Sequence, residues 1–301
     1  MTTVQYSGRD SVSVSPAGQN SSSMKEFQHR MSEWHPNWAK IVRLSADKID
    51  YEQLRLARYV YLKDEPDLTE FKNKATVLLF EETDCFRVVR ADFFTRLLFT
   101  EQRFIERPFD LGSSGSVTIA SALSDRRDPT DPFWGAVGLP GVPLAIGVNA
   151  SLRSHDYDGV ELLAHKSKQA QGEMGGTVGP PVSAGVSLDL DELSFGHLTL
   201  GALVDHAMQA AAKRELGSLV LPPFRRRKAW LDSGRGHKPE VNYQGTIHPG
   251  DAAKFNNAIC QTHSGCLQVQ GHLTMAGMPS EAASALLSNW GLNFQTWCLW
   301  L

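Results

Sequence analysis

The chain of 301 residues is short of cysteine, of long apolar runs and of net charge, and each shortage excludes something. Four cysteines, Cys85, Cys260, Cys266 and Cys298, have no secreted-scaffold spacing. Reduced thiols and a cytoplasmic setting are therefore expected. No apolar run approaches the ~18–20 residues of a membrane span, and no basic start leads into an apolar core. A soluble, unexported protein is expected. A formal charge of −3 exerts no general pull on nucleic acid or an anionic membrane. No GxSxG nucleophile elbow is present, and the glycine-rich "GEMGGTVGPP" (172–181) is not followed by Gly-Lys-Ser/Thr. Acid is scarce in one telling place. "HAMQAAAKRELGSLV" (206–220) reads as the end of an amphipathic helix, and Glu215 is its single carboxylate.

What remains is an ordinary globular composition, 42% hydrophobic and 21% charged. Residues 1–24, rich in Ser, Gly, Thr, Gln and Asn, predict a flexible tail. "WAKIVRL" predicts a short strand, and "DKIDYEQLRLARYVYL" carries a helical stripe through Ile49, Leu54, Leu56, Tyr59, Val60 and Leu62. "ATVLLF" and "FRVVR" flank a turn-like "EETD" as a hairpin. "ADFFTRLLFTEQRFI" predicts a helix burying Phe93, Leu97, Leu98 and Phe104, with Arg96 and Arg103 toward water. Residues 110–143, which collect Gly, Pro, Ser and Asp, read as a connection between domains. Beyond it, "PLAIGVNASL" and "GVELLAHKS" are strands around an Asp158-Gly159 turn. A helix over roughly Leu203 to Leu216 follows, with Gly217 placed to end it. "SLVL", "RKAWL", "EVNYQGTI" and "CLQVQGHLTM" are β-rich, and Ser280 can cap a last helix in "EAASALLSNW". There is no internal repeat.

This order of a hairpin, a glycine-rich loop, one long helix, more strands and a final helix resembles the Nudix hydrolase fold over residues 142–301. The resemblance extends to Nudix-like proteins of bacteria, in which an Arg-Ser dipeptide follows the hairpin and a Gly…Asp stretch lies in the loop. Lys166-Ser167 and "AGVSLDLDE" look like weakened versions of these. The family signature, Gx5Ex7REUxEExGU with U aliphatic, fits in two registers. With Arg214-Glu215 as the RE pair, the acidic pair falls on Ser218 and Leu219. With Gly196 and Gly217 on the two glycines, Glu215 is the second acid of the pair, Arg214 replaces the first, and Ala210, Ala211 and Ala202 stand at the RE pair and the early glutamate. The second register is preferred because it keeps both glycines and ends the helix at Gly217.

The resemblance implies an α+β fold (an α/β/α sandwich) with a Nudix-like mixed sheet in 142–301, preceded by a smaller α/β segment and connection in 25–141. It also implies Mg²⁺-dependent hydrolysis of a nucleoside diphosphate linked to another moiety. Glu215 would be the catalytic metal ligand, joined by Asp191 and Glu192. Arg214 and Lys166 would contact phosphate, and the loop containing Gly175 and Gly176 would close over substrate. In the family, glutamates one helical turn apart present their carboxylates on one face to Mg²⁺. Here one acid stands where several are usual, and Ala211 and Arg214 occupy the face expected to look toward the pocket. The alternative is a catalytically silent Nudix-like domain that binds a nucleotide-type ligand or a protein partner.

Other clusters read more plainly. Cys260, His263, Cys266 and His272 are residue types that bind zinc, but their spacing is not that of a known finger, and chance clustering of thiols is the better account. "FRRRK" (224–228) reads as a solvated edge strand. Trp290, Trp297 and Trp300 are explained by core packing or a homodimer contact.

Overall fold

The computed structural model describes residues 2–6, 9–14, 31–58, 75–110, 115–124, 130, 132–154, 160–166, 178–186, 197–217, 219–232 and 238–270. In chain order the strands are β1 (Thr2–Tyr6), β2 (Arg9–Val14), β3 (Met31–Glu33), β4 (Ile41–Ile49), β5 (Ala75–Glu81), β6 (Cys85–Asp92), β7 (Pro108–Asp110), β8 (Ser116–Thr118), β9 (Gly147–Ser154), β10 (Val160–His165), β11 (Val178–Gly179), β12 (Val182–Gly185), β13 (Phe224–Asp232), β14 (Lys238–Ile247) and β15 (Gly265–Gln270). The helices are α1 (Phe93–Leu98), α2 (Gln102–Ile105), α3 (Ile119–Ser124), α4 (Pro132–Val137), α5 (Leu200–Leu216) and α6 (Ala252–Thr262). The fold is α+β, with strands and helices in no regular alternation.

Among the described residues ten strands share a mixed sheet in the order β2-β1-β15-β10-β9-β14-β13-β3, with β11 beside β10 and β12 beside β9. β9 and β14 run parallel, from Gly147 opposite Glu240 to Ser154 opposite Ile247. Two-residue alternation gives this sheet an apolar face and a polar one. Val148, Ala150, Leu152, Val241, Tyr243 and Ile247 enter the core beneath α5 and α6. Asn149, Ser151, Glu240 and Asn242, their neighbours in sequence, are also buried.

A smaller sheet, β4-β6-β5, lies between two cores. In β5, Val77 and Leu79 belong to the core shared with the large sheet and α5, while Leu78 and Phe80 belong to a second core with α1, α3 and α4. A strand covered on both faces needs a continuous apolar run, and "ATVLLF" supplies one. The first core therefore runs across the expected boundary at residue 141, uniting Val42, Phe86 and Val88 with residues of β9, β12 and α5.

Several expectations need correction. Half of the expected tail is strand: β1 pairs with β2 and, from Val4 to Tyr6, with β15. The stripe from Ile49 to Leu56 is not α-helical. β4 runs to Ile49, the Asp50 side chain accepts from the Glu52 amide at 3.2 Å, and two short 3-10 turns follow. Asp50 offers the backbone a local hydrogen bond that competes with an α-helix. Ile49, Tyr51, Leu54 and Leu56 are still buried, against the second core. Residues 110–143 are no bare connection, because Ile119, Leu123, Phe133, Trp134 and Val137 pack into that core. Arg96 does not point to water: its guanidinium lies against the Cα of Gly185 and senses Glu240 and Glu101. Leu219 to Leu221 are not strand, and the helix α6 (Ala252–Thr262) has no counterpart among the expected elements.

Other expectations hold. β5 and β6 form the hairpin, and Phe93, Leu97, Leu98 and Phe104 are buried, although "ADFFTRLLFTEQRFI" breaks into α1 and α2. In β13, Arg225, Arg227 and Lys228 are exposed. The final helix at 280–290 and Trp290, Trp297 and Trp300 lie outside the described residues. No described helix is long and apolar enough to cross a membrane.

Candidate functional site

The site forms where α5 ends. The Thr199 hydroxyl caps the helix by accepting from the Ala202 amide at 3.2 Å. Gly217 ends it with a φ of 66°, a conformation that disfavours side chains. Lys213 and Arg214 suit the negative end of the helix dipole, whereas Glu215 opposes it and needs cations or hydrogen-bond donors nearby. It has them. Arg214 Nε lies 3.2 Å from one carboxylate oxygen and His263 Nε2 3.5 Å from the other. Lys166 completes the group electrostatically.

The local fold explains this meeting. The amide of Ser264, in the turn between α6 and β15, donates to the carbonyl of His165 at 2.9 Å. That bond holds the end of α6 beside the residue preceding Lys166. The Thr262 hydroxyl donates to the Glu215 carbonyl at 2.8 Å, satisfying an acceptor that the last turn of α5 leaves open. His263 Nε2 also lies 3.1 Å from the Pro181 carbonyl, just before β12. Both neighbours of Nε2 are acceptors, which places the proton of the neutral ring there. Burial, then the Lys166 charge, hold the His263 pKa below its usual value against the opposing pull of Glu215 and Pro181.

Lys166 is the least conventional member. It retains only 6% of its surface, and burial brings its pKa down to about 8 although Glu215 favours the charged form. No hydrogen bond or ion pair within 4 Å engages its Nζ among the described residues.

Of the residues singled out from the sequence, Glu215, Arg214 and Lys166 are thus brought together. Gly175, Gly176, Asp191 and Glu192 lie outside the described residues, as do Asp189 and His272. Asp205, a candidate to join Glu215, is committed elsewhere. It accepts from Arg226 at 2.9 and 3.2 Å and from the Tyr243 hydroxyl at 2.6 Å, while Arg226 stacks over Trp38 at 4.2 Å. Ala211 does not face a pocket; it is 1% exposed and packed in the core. His263 was read only within a thiol-rich cluster, and its role was hidden because α6, which delivers it, was unassigned. Cys260 is exposed and donates to Asn256 at 3.4 Å, whereas Cys266 is buried, with its pKa raised to about 12 by burial and by Cys260.

Mg²⁺ asks for hard oxygen ligands. The described residues offer it one carboxylate, already engaged by His263 and Arg214 and lying in the field of the Lys166 ammonium. Among the described residues no three His, Cys, Asp or Glu converge. This donor set does not fit Mg²⁺. What it does fit is an anion, which would meet Lys166 directly.

No protein-family model and no curated protein matches the chain. Solved structures similar to it include a Nudix hydrolase from M. smegmatis, RenU, at 14% identity and a TM-score of 0.28, covering 52% of this chain and 81% of that one. Another is the NUDIX domain of Shewanella oneidensis NrtR complexed with ADP ribose, at 19% identity and a TM-score of 0.24, covering 35% of this chain. The likeness spans 61% of that second chain. Likenesses this distant leave the functional reading to the residues themselves.

Proposed function

We propose that this protein is a Nudix-like domain that binds a nucleotide-type ligand, a nucleoside diphosphate linked to another moiety, without Mg²⁺-dependent hydrolysis through Glu215. The observation that carries the reading is Lys166, a buried ammonium with no direct partner among the described residues. An unpaired buried charge costs several kcal/mol, and a phosphate oxygen would supply the missing contact. Glu215 orients the opposite wall through His263 and Arg214. The half-kept Nudix box and the order of elements support the ligand class. Thiols rather than disulfides at Cys85, Cys260 and Cys266 suit a reducing cytoplasm.

The competing reading is a Mg²⁺-dependent phosphoanhydride hydrolase in which Asp191 and Glu192 join Glu215. It draws support from the acidic "SLDLDE" that precedes α5 in the sequence.

Titration calorimetry with ADP-ribose and ADP, paired with an assay for AMP and phosphate release, separates the two. The expected result is binding that needs no Mg²⁺, weakened about tenfold or more by Lys166→Met, which is ~1.4 kcal/mol or more for a lost charge-assisted contact. Mg²⁺-dependent product release that disappears in Glu215→Gln and Asp191→Asn would replace this reading with the hydrolase.

A further inference from the structure

We propose that the uncovered edge of β13, residues 224–228, is a docking strand for an extended acidic segment of another protein, which joins the large sheet by strand addition. No residue of the Lys166 site takes part, so this stands apart from the nucleotide reading.

β13 is nine residues long, and on the side away from β14 it is covered by β3 from Trp230 to Asp232 alone. The Trp34 amide adds one more bond, to the Ala229 carbonyl at 2.8 Å. Two residues later Pro36 has no N–H with which to continue the ladder. Among the described residues no strand pairs with the rest of this edge, where half of the main-chain groups of an antiparallel strand point outward. The bulge between Arg226 and Ala229 separates the open part from the part that β3 covers, which limits a partner to a short strand.

The side chains decide what can join. Arg226 turns to the helix side, where it is bound to Asp205 at 2.9 Å and stacked over Trp38. Arg225 and Arg227 therefore turn to the other face, and both are exposed, as is Lys228. No carboxylate among the described residues lies within 4 Å of these three cations. A second copy of the same edge would bring like charges face to face, the usual defence of an edge strand against its own kind. An acidic strand meets the opposite condition. Arg225 and Arg227 lie two residues apart, about 7 Å along a strand, so they select carboxylates at alternate positions of the partner. Nucleic acid fits less well, because bases need a free aromatic face on which to stack. The tryptophans that meet the cations of β13 are partly buried and already covered, Trp38 by Arg226 at 4.2 Å and Trp230 by Lys228 at 5.4 Å.

The test is fluorescence anisotropy of the full chain with the labelled peptide Thr-Asp-Val-Asp-Val-Thr. Replacing both aspartates by lysine should abolish binding. Two further peptides are N-methylated, one at the aspartates and one at the valines. Alternate amides of an added strand face the sheet, so one of these two should lose about tenfold or more in affinity while the other keeps it. Charge reversal by Arg225→Glu with Arg227→Glu should also weaken binding about tenfold or more. No binding of the aspartate peptide overturns the proposal, as does equal binding of the two N-methylated peptides, which would mean attraction without strand pairing. Both outcomes are read on the natural chain and depend on no variant that has to fold. An oligothymidine that binds more tightly than the peptide would replace the acidic segment with nucleic acid.

Discussion

The two ends of α5 treat their acids in opposite ways. Asp205, in the first half, meets two nitrogens of Arg226 and the hydroxyl of Tyr243, and Arg226 is in turn stacked on Trp38. Both Asp205 oxygens and the Tyr243 hydroxyl have partners, and burial, then the hydrogen bond and charge of Asp205, drive the Tyr243 hydroxyl far above its ordinary pKa. Glu215, ten residues and about 15 Å further along the helix, has a 3.2 Å contact with Arg214 and a 3.5 Å one with His263, beside a Lys166 that has no direct partner among the described residues. Saturated networks rigidify a fold, whereas partly satisfied ones are costly unless something else completes them. The first end is built to hold α5 on β13 and β14. The second would be completed by the proposed ligand.

The sharpest way to break this comparison is Ala211→Glu. On the Nudix register it restores a ligand beside Glu215, but Ala211 is 1% exposed in the apolar core. The expected outcome is a loss of roughly 3–5 kcal/mol or outright failure to fold, because an unpaired carboxylate would be buried. Mg²⁺ should not rescue it. A folded variant whose melting temperature rises with Mg²⁺ would return Ala211 to the pocket and revive the metal site.

Lys166→Met sharpens the other side. The folded-state pKa of about 8 lies below the 10.5 of an ordinary lysine, so the unfolded chain binds the proton more tightly. The cost of burying the ammonium is therefore fully present below pH 8 and is relieved as pH rises toward 10.5. At pH 7 the variant is expected to be more stable by up to ~3 kcal/mol, with the advantage shrinking between pH 8 and 10.5. Urea denaturation at pH 7 and pH 10 checks this. A stability difference that does not vary with pH would mean that Lys166 is not held as a strained charge.

Asp205→Asn should have the smallest effect, about 1–2 kcal/mol, since the Asp205 side chain is 49% exposed and solvent screens its pair with Arg226. It should leave ADP binding unchanged. Loss of binding would show that the two ends of α5 are coupled, and that the saturated end does more than anchor the helix.

How far the site could be read from the sequence follows from which interactions are local. Glu215 and Lys166 were both identified, Glu215 because a helix ending in Arg-Glu-Leu-Gly is a short-range pattern, and Lys166 because it follows a strand at a motif-like place. His263 was not, since it lies 48 residues from Glu215 in the chain and only the fold brings the two together. Arg96 was assigned to solvent from helical periodicity alone, which sees the apolar face of α1 but not Gly185 and Glu240 on another element.

Local chemistry in the sequence determined the β5–β6 hairpin, the strands β9 and β10, the span of α5 and its end at Gly217, because alternation, capping and a positive φ act within a few residues. Tertiary structure alone decided that the small sheet lies between two cores, that Ala211 is interior, that Asp205 meets Arg226 and Tyr243, and that Lys166 is buried with no direct partner among the described residues. Each depends on what a distant segment brings to the same few ångströms, and burial and electrostatics are properties of that meeting rather than of the residue.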